Sequence, residues 1–184
     1  MPLDPLQFMQ TIANRVDFSN QEKAILKRHS DWAAIIAPDM ANCFYNQLNQ
    51  DPETQQILNA SKGRIHRLHQ TFIQWFQEMF DGMDDWSDEY AKRRWQIGLV
   101  HVQVGIGPQH VVPAMATVVQ AVGEQLKQQG KSSDLQDALS KICTIDLAFI
   151  EQTYVEAATN AVLKETGWTA GLFERMVKSG ASAM

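Results

Sequence analysis

The chain has 184 residues, 45% of them hydrophobic, and a formal net charge of −5. That length suits one domain with a substantial core, and the acidic balance excludes a general attraction to nucleic acid or to an anionic membrane. No apolar run approaches the roughly 20 residues that cross a bilayer. The N-terminus lacks the basic flank and apolar stretch of a secretory signal, so a cytoplasmic setting is expected. The two cysteines, Cys43 and Cys143, lack metal-ligand spacing and fall in helical patterns, which reads as two buried free thiols.

Apolar residues recur with helical period nearly throughout, and no useful length alternates with period two. The expected fold class is therefore all-α. Residues 4–15 form a short amphipathic helix with Leu6, Phe8, Met9 and Ile12. Ser19 and Glu22 have capping-box spacing and open a helix carrying Ile25, Leu26, Trp32, Ile35 and Ile36. Pro38 starts the next helix, through Met40, Cys43, Phe44 and Leu48. Asp51-Pro52 opens a short turn ending near Leu58, and residues 62–80 repeat strongly with Ile65, Leu68, Phe72, Trp75, Phe76 and Met79. After a loop at 81–85, Ser87 caps a helix that ends at Gly105, Gly107 and Pro108. Pro108 begins a helix reaching about Lys127. Residues 134–165 form a long helix stopped by Gly167, and a short terminal helix follows with Trp168, Leu172, Phe173 and Met176. Short helices first and two long antiparallel ones last, packed ridges into grooves, suit a globin-like sandwich.

The most informative residue is His101. Helical spacing puts Ile97, Val100 and Val104 on its face. A buried imidazole needs partners, because an unpaired polar group costs about 1–3 kcal/mol. Two readings are open: a core histidine bonded to a carbonyl, or an iron ligand presented near a helix end to a space between apolar helices. The basic run Lys92-Arg93-Arg94 reads as a solvated helix face.

Three blocks resemble the heme-binding domains of globin-coupled sensors, especially bacterial aerotaxis transducers, a group related to protoglobins. The first is Cys43-Phe44-Tyr45-Asn46-Gln47-Leu48. The second is Arg67-Leu68-His69-Gln70-Thr71, continuing through Gln77-Glu78-Met79-Phe80 to Gly82. The third, and most specific, is Lys92-Arg93-Arg94 followed by Ile97, Val100-His101, Gly105-Ile106 and Pro108. Together they span about residues 20–165, within a single sensor domain over 1–184. Residues 1–17 are then an N-terminal extension and 167–184 a tail or the start of a linker. One departure stands out: the family usually has an aromatic pair just after the proline, where this chain has His110 and Val111.

The resemblance implies heme b held by His101 as the proximal iron ligand, with no Cys-x-x-Cys-His for covalent attachment. It implies Tyr45 as hydrogen-bond donor to dioxygen, Leu68 against the distal face and Thr71 as a second hydroxyl. Phe72, Ile97 and Ile106 would complete the pocket. Each has a plainer alternative. Leu68 is simply core, Thr71 bonds its own helix carbonyl, and Tyr45 is a core tyrosine with its hydroxyl at the surface. His66 and His69 lie one turn apart on the same helix, and His69, nearer the inward face, is the candidate sixth iron ligand. His29 and His110 read as surface or interface residues.

The function implied is reversible binding of dioxygen, or of carbon monoxide or nitric oxide, by a gas sensor in signal transduction rather than by an enzyme. Three alternatives remain: a globin that detoxifies nitric oxide or peroxide, a bis-histidine heme redox sensor, or a heme-free interaction module. No output domain accompanies the globin part, so the chain is a free-standing sensor or a fragment, with its downstream partner unidentified. Apolar residues on the helices at 108–127 and 134–165 spread beyond one stripe. With the family's habit, that implies a homodimer through the last two long helices.

Overall fold

The computed structural model describes residues 3–182, so the expected domain limits at 1 and 184 lie outside the described residues. Among these there are nine helices and no strand. They are α1 (Pro5–Arg15), α2 (Asn20–Arg28), α3 (Ser30–Leu48), α4 (Pro52–Leu58), α5 (Arg64–Asp81), α6 (Asp88–Val104), α7 (Pro108–Gln128), α8 (Ser133–Thr166) and α9 (Ala170–Ala181). The fold is all-α and globin-like. None of the described helices is long and apolar enough to cross a membrane.

One part of the expected helix order is corrected. A continuous helix over Asn20–Ile36, and a new one starting at Pro38, do not form. The chain breaks at His29 instead, and α3 runs through Pro38. The break is held by side chains that take the last carbonyls of α2. His29 Nδ1 lies 2.8 Å from the Ile25 carbonyl, and the Ser30 hydroxyl donates to the Lys27 carbonyl at 2.7 Å. Pro38 is tolerated because it and Ala34, whose carbonyl loses its helical partner, both lie on the exposed side of α3.

The α3–α5 contact is built from rings. Phe72, Phe76 and Phe80 recur every four residues along the inner stripe of α5. Phe44 of α3 meets Phe72 at 4.9 Å between centroids, and Trp32 meets Phe80 at 6.3 Å. Such pairs add directional attraction to a large buried apolar area. α1 belongs to the core rather than trailing from it: Met9 is fully buried, and Phe8 packs edge-on against Phe149 of α8 at 5.1 Å.

α8, with 34 residues, extends about 50 Å at ~1.5 Å per residue. It packs against α6, α7, α2 and α1. Its apolar residues Leu135, Leu139, Ile142, Ile145, Phe149 and Ile150 are buried within the single chain, as are Val111, Met115, Val118, Val122 and Leu126 of α7. The wide apolar spread is thus largely consumed by neighbours on several sides of one globule. Val112, Val155 and Val162 are what remains exposed. Two further expectations are corrected. Cys43 is exposed while Cys143 is buried, and His110 is buried rather than at the surface.

Candidate functional site

α5 and α6 share little direct packing along their length. They are fastened where the short 82–87 connection joins them. Glu78 of α5 accepts from Arg93 Nε at 2.6 Å and from an Arg94 guanidinium nitrogen at 3.0 Å. Arg94 is fully buried. It also donates to the Tyr90 hydroxyl at 2.8 Å, lies over the Tyr90 ring, and stands 3.2 Å from Asp146 of α8. Trp75 of α5 donates its indole N–H to the same Asp146 carboxylate at 2.7 Å. Burial works against the Arg94 charge, but Asp146, Tyr90 and Glu78 outweigh it and hold its pKa above the ordinary value. Burial pushes the Asp146 carboxyl upward, and Arg94 and Trp75 pull it back only in part. One Asp146 oxygen has no hydrogen-bond partner.

Beyond this fastening, α6 carries His101. Its Nδ1 lies 2.9 Å from the carbonyl of Ile97, one turn earlier, as helical spacing leads one to expect. Burial holds its pKa below the usual value, so the imidazole is neutral, with its proton at Nδ1 facing that carbonyl. The lone pair at Nε2 is then free, and no hydrogen bond to it forms among the described residues. The local bond alone does not single out His101, because His29 makes the same one to Ile25. What differs is the surface beside it. Val100 and Val104 are 46% and 38% exposed, and Ile97 and Ile106 are half-buried. A free imidazole nitrogen on an open apolar helix face is an arrangement suited to a flat apolar metal complex.

The candidate residues of α3 and α5 divide. Tyr45 is buried, and its hydroxyl donates to the Leu68 carbonyl at 3.1 Å. Burial raises its pKa, so the phenol keeps its proton and remains a hydrogen-bond donor. His69 is half-buried and stacks on the Tyr45 ring with centroids 4.6 Å apart, while His66 is exposed. Burial, then the neighbouring His66, lower the His69 pKa. Leu68 is half-buried and Phe72 buried against Phe44. Thr71 is exposed and donates to the Arg67 carbonyl at 3.0 Å, the plainer of its two readings. A narrow apolar crevice, too tight for a water molecule, lies beside Phe72, between Met40, Phe44 and Val118. No group of three metal-ligating side chains occurs among the described residues.

The fastening of Glu78, Arg94 and Asp146 is not apparent from helical period alone. In sequence Arg94 reads as part of a solvated basic run, but only Lys92 and Arg93 are exposed. The available signal was Asp146, an acid inside the apolar stretch Ile142–Ile150. Such a residue needs a buried partner, since a lone buried charge is very costly.

The Protoglobin family profile matches residues 8–160. Among solved structures, the globin domain of a Geobacter sulfurreducens globin-coupled sensor is similar, with a TM-score of 0.72 and 26% sequence identity. The match covers 79% of this chain and 97% of that one. Among curated proteins, none matches the chain in sequence.

Proposed function

We propose, for a chain that belongs to the protoglobin family, that its globin role is that of a gas sensor in which His101 is the iron ligand. Family membership supports a globin-type heme and gas-binding role. The observation that carries the assignment to His101 is its neutral imidazole, with Nδ1 committed to Ile97 and Nε2 free beside Val100 and Val104. An imidazole fixed through its far nitrogen is a stronger and better oriented ligand.

The side chains present fit heme b. His101 would hold the iron, and the half-buried Ile97, Ile106 and Leu68 would offer apolar surface to the ring, while Phe72 is buried against Phe44. When bound, heme supplies the iron that takes up a diatomic gas. This chain's own contribution is selectivity. Tyr45 supplies an O–H donor from a buried position, and Thr71 would add a second hydroxyl only by leaving the Arg67 carbonyl. Such a donor would favour a bound gas that carries partial negative charge, as dioxygen would, over carbon monoxide, which would gain little from it. The Tyr45 phenol now serves the Leu68 carbonyl, so it must exchange that partner to serve a ligand. His69 supports a second reading, in which it acts as a sixth ligand and the gas displaces it, because it already stacks against Tyr45.

The reading is non-enzymatic: reversible binding of dioxygen, or of carbon monoxide or nitric oxide, in a homodimer joined through α7 and α8. Equilibration of the ferrous protein with each gas tests it. Reversible dioxygen binding is expected, with Tyr45→Phe losing dioxygen up to about tenfold faster, the worth of one net hydrogen bond. Carbon monoxide affinity should change much less. An equal response of both gases would show that Tyr45 acts by volume alone. A six-coordinate low-spin ferrous spectrum that reverts in His69→Leu would establish the second reading instead.

A further inference from the structure

The carbonyl of His101 accepts hydrogen bonds from two sides, the end of its own helix, where the Gly105 N–H also points at it, and a neighbouring helix. One comes from the Ile106 N–H at 3.0 Å. It closes the end of α6, where Gly105 takes a left-handed φ of 75°, a common way to finish a helix. The other comes from the Tyr154 hydroxyl of α8, also at 3.0 Å.

The residue before Tyr154 grips the same helix. Thr153 is fully buried and lies where Gly98 of α6 has no side chain; a Cβ on Gly98 would collide with it. Gly98 is one turn before His101. α8 therefore touches α6 through two consecutive residues, one below the imidazole and one at its own carbonyl. The bond from Tyr154 is not needed to close the helix, because Ile106 already serves the carbonyl. Nor is the phenol stranded without it, since Tyr154 is only half-buried. Burial and the nearby Glu151 hold its pKa up, so it remains a donor.

We propose that Tyr154 is a positioning residue for His101: its phenol fixes where the end of α6, and with it the imidazole, stands relative to α8. This rests on the reading of His101 as the iron ligand. It adds a residue outside the three blocks that carry the family resemblance.

The test uses Tyr154→Phe and Tyr154→Leu in the full chain, with two readouts. The first is amide hydrogen exchange at Gly105 and Ile106 in the heme-free protein. In Tyr154→Phe it should be roughly five-fold faster, the equivalent of one net hydrogen bond, with the melting temperature nearly unchanged. The second is the iron–histidine stretching band of the ferrous heme-loaded protein, which should shift in Tyr154→Phe and by a similar amount in Tyr154→Leu. Wild-type behaviour of Tyr154→Phe in either readout overturns the proposal. So does a shift confined to Tyr154→Leu, because ring packing would then be responsible. If the wild-type chain takes up no heme, the reading of His101 fails, while the exchange arm still decides whether Tyr154 fixes the end of α6.

Discussion

An imidazole that has given its Nδ1 proton to the Ile97 carbonyl has one chemical capacity left, the lone pair at Nε2. At His101 that bond and the surrounding burial act together. Burial disfavours the charged form, so the folded chain binds a proton here less readily than the unfolded chain, whose histidines titrate near ~6.5. The stability contribution of neutral His101 is therefore fully present above about pH 6.5 and is lost as pH falls through the lower folded value. Chemical denaturation of the heme-free protein at pH 7 and pH 5 checks this. Wild type should lose more stability on acidification than His101→Leu, and equal losses would count against a part-buried neutral imidazole. The Ile97 bond was legible in the sequence, because a histidine on an apolar helix face meets the carbonyl one turn back. The burial of Arg94 was not. A run of three basic residues looks solvated, yet a helix turns about 100° per residue, which swings the third side chain inward.

Among the elements, α5, α6 and α8 are joined by charge at one end of the site and by a phenol at the other. The Glu78, Arg94, Asp146 and Trp75 contacts cross three helices. Removing one member of a buried pair costs about 3–5 kcal/mol, chiefly because the remaining charge is left without compensation. Asp146→Asn keeps an acceptor for Trp75 but deprives Arg94 of its buried counter-charge. The melting temperature should fall by on the order of 10 °C, as calorimetry would show. A change of only a degree or two would mean that Glu78 alone compensates Arg94. Most helices were readable from apolar period, caps and stop signals. Ser87, Gly105, Pro108 and Gly167 all stand where expected. The break at His29 was not readable, because it depends on His29 and Ser30 bonding back to α2 rather than on any glycine or proline. Pro38, the residue that looked like a boundary, lies on a solvated face where its missing donor costs little.

At the scale of the molecule, the chain buries most of its apolar surface by itself. α8 exposes apolar surface mainly beyond the core, at Val155 and Val162, and Val112 adds to it on α7. A homodimer through α7 and α8 would cover these side chains, with an isologous patch on the order of 1,000 Å² or more. Sedimentation at micromolar concentration should show a dimer in wild type and dissociation in a Val112→Glu, Val155→Glu double variant. A wild-type monomer would remove this route of signalling while leaving the gas site untouched. The fold class could be read from the sequence because nearly every segment is periodic. The share of the apolar surface left over for a partner could not, because it depends on how many neighbours each face of α8 finds.

His101 is the proposed anchor for heme in this fold. Titration of the purified full chain with heme, followed by absorption spectroscopy, tests it most directly. The wild-type chain should take up one equivalent with a strong Soret band. His101→Ala should keep its helical circular dichroism and lose stoichiometric uptake. A wild-type chain with no saturable band, or a His101→Ala variant with full uptake and an unchanged spectrum, would contradict the account.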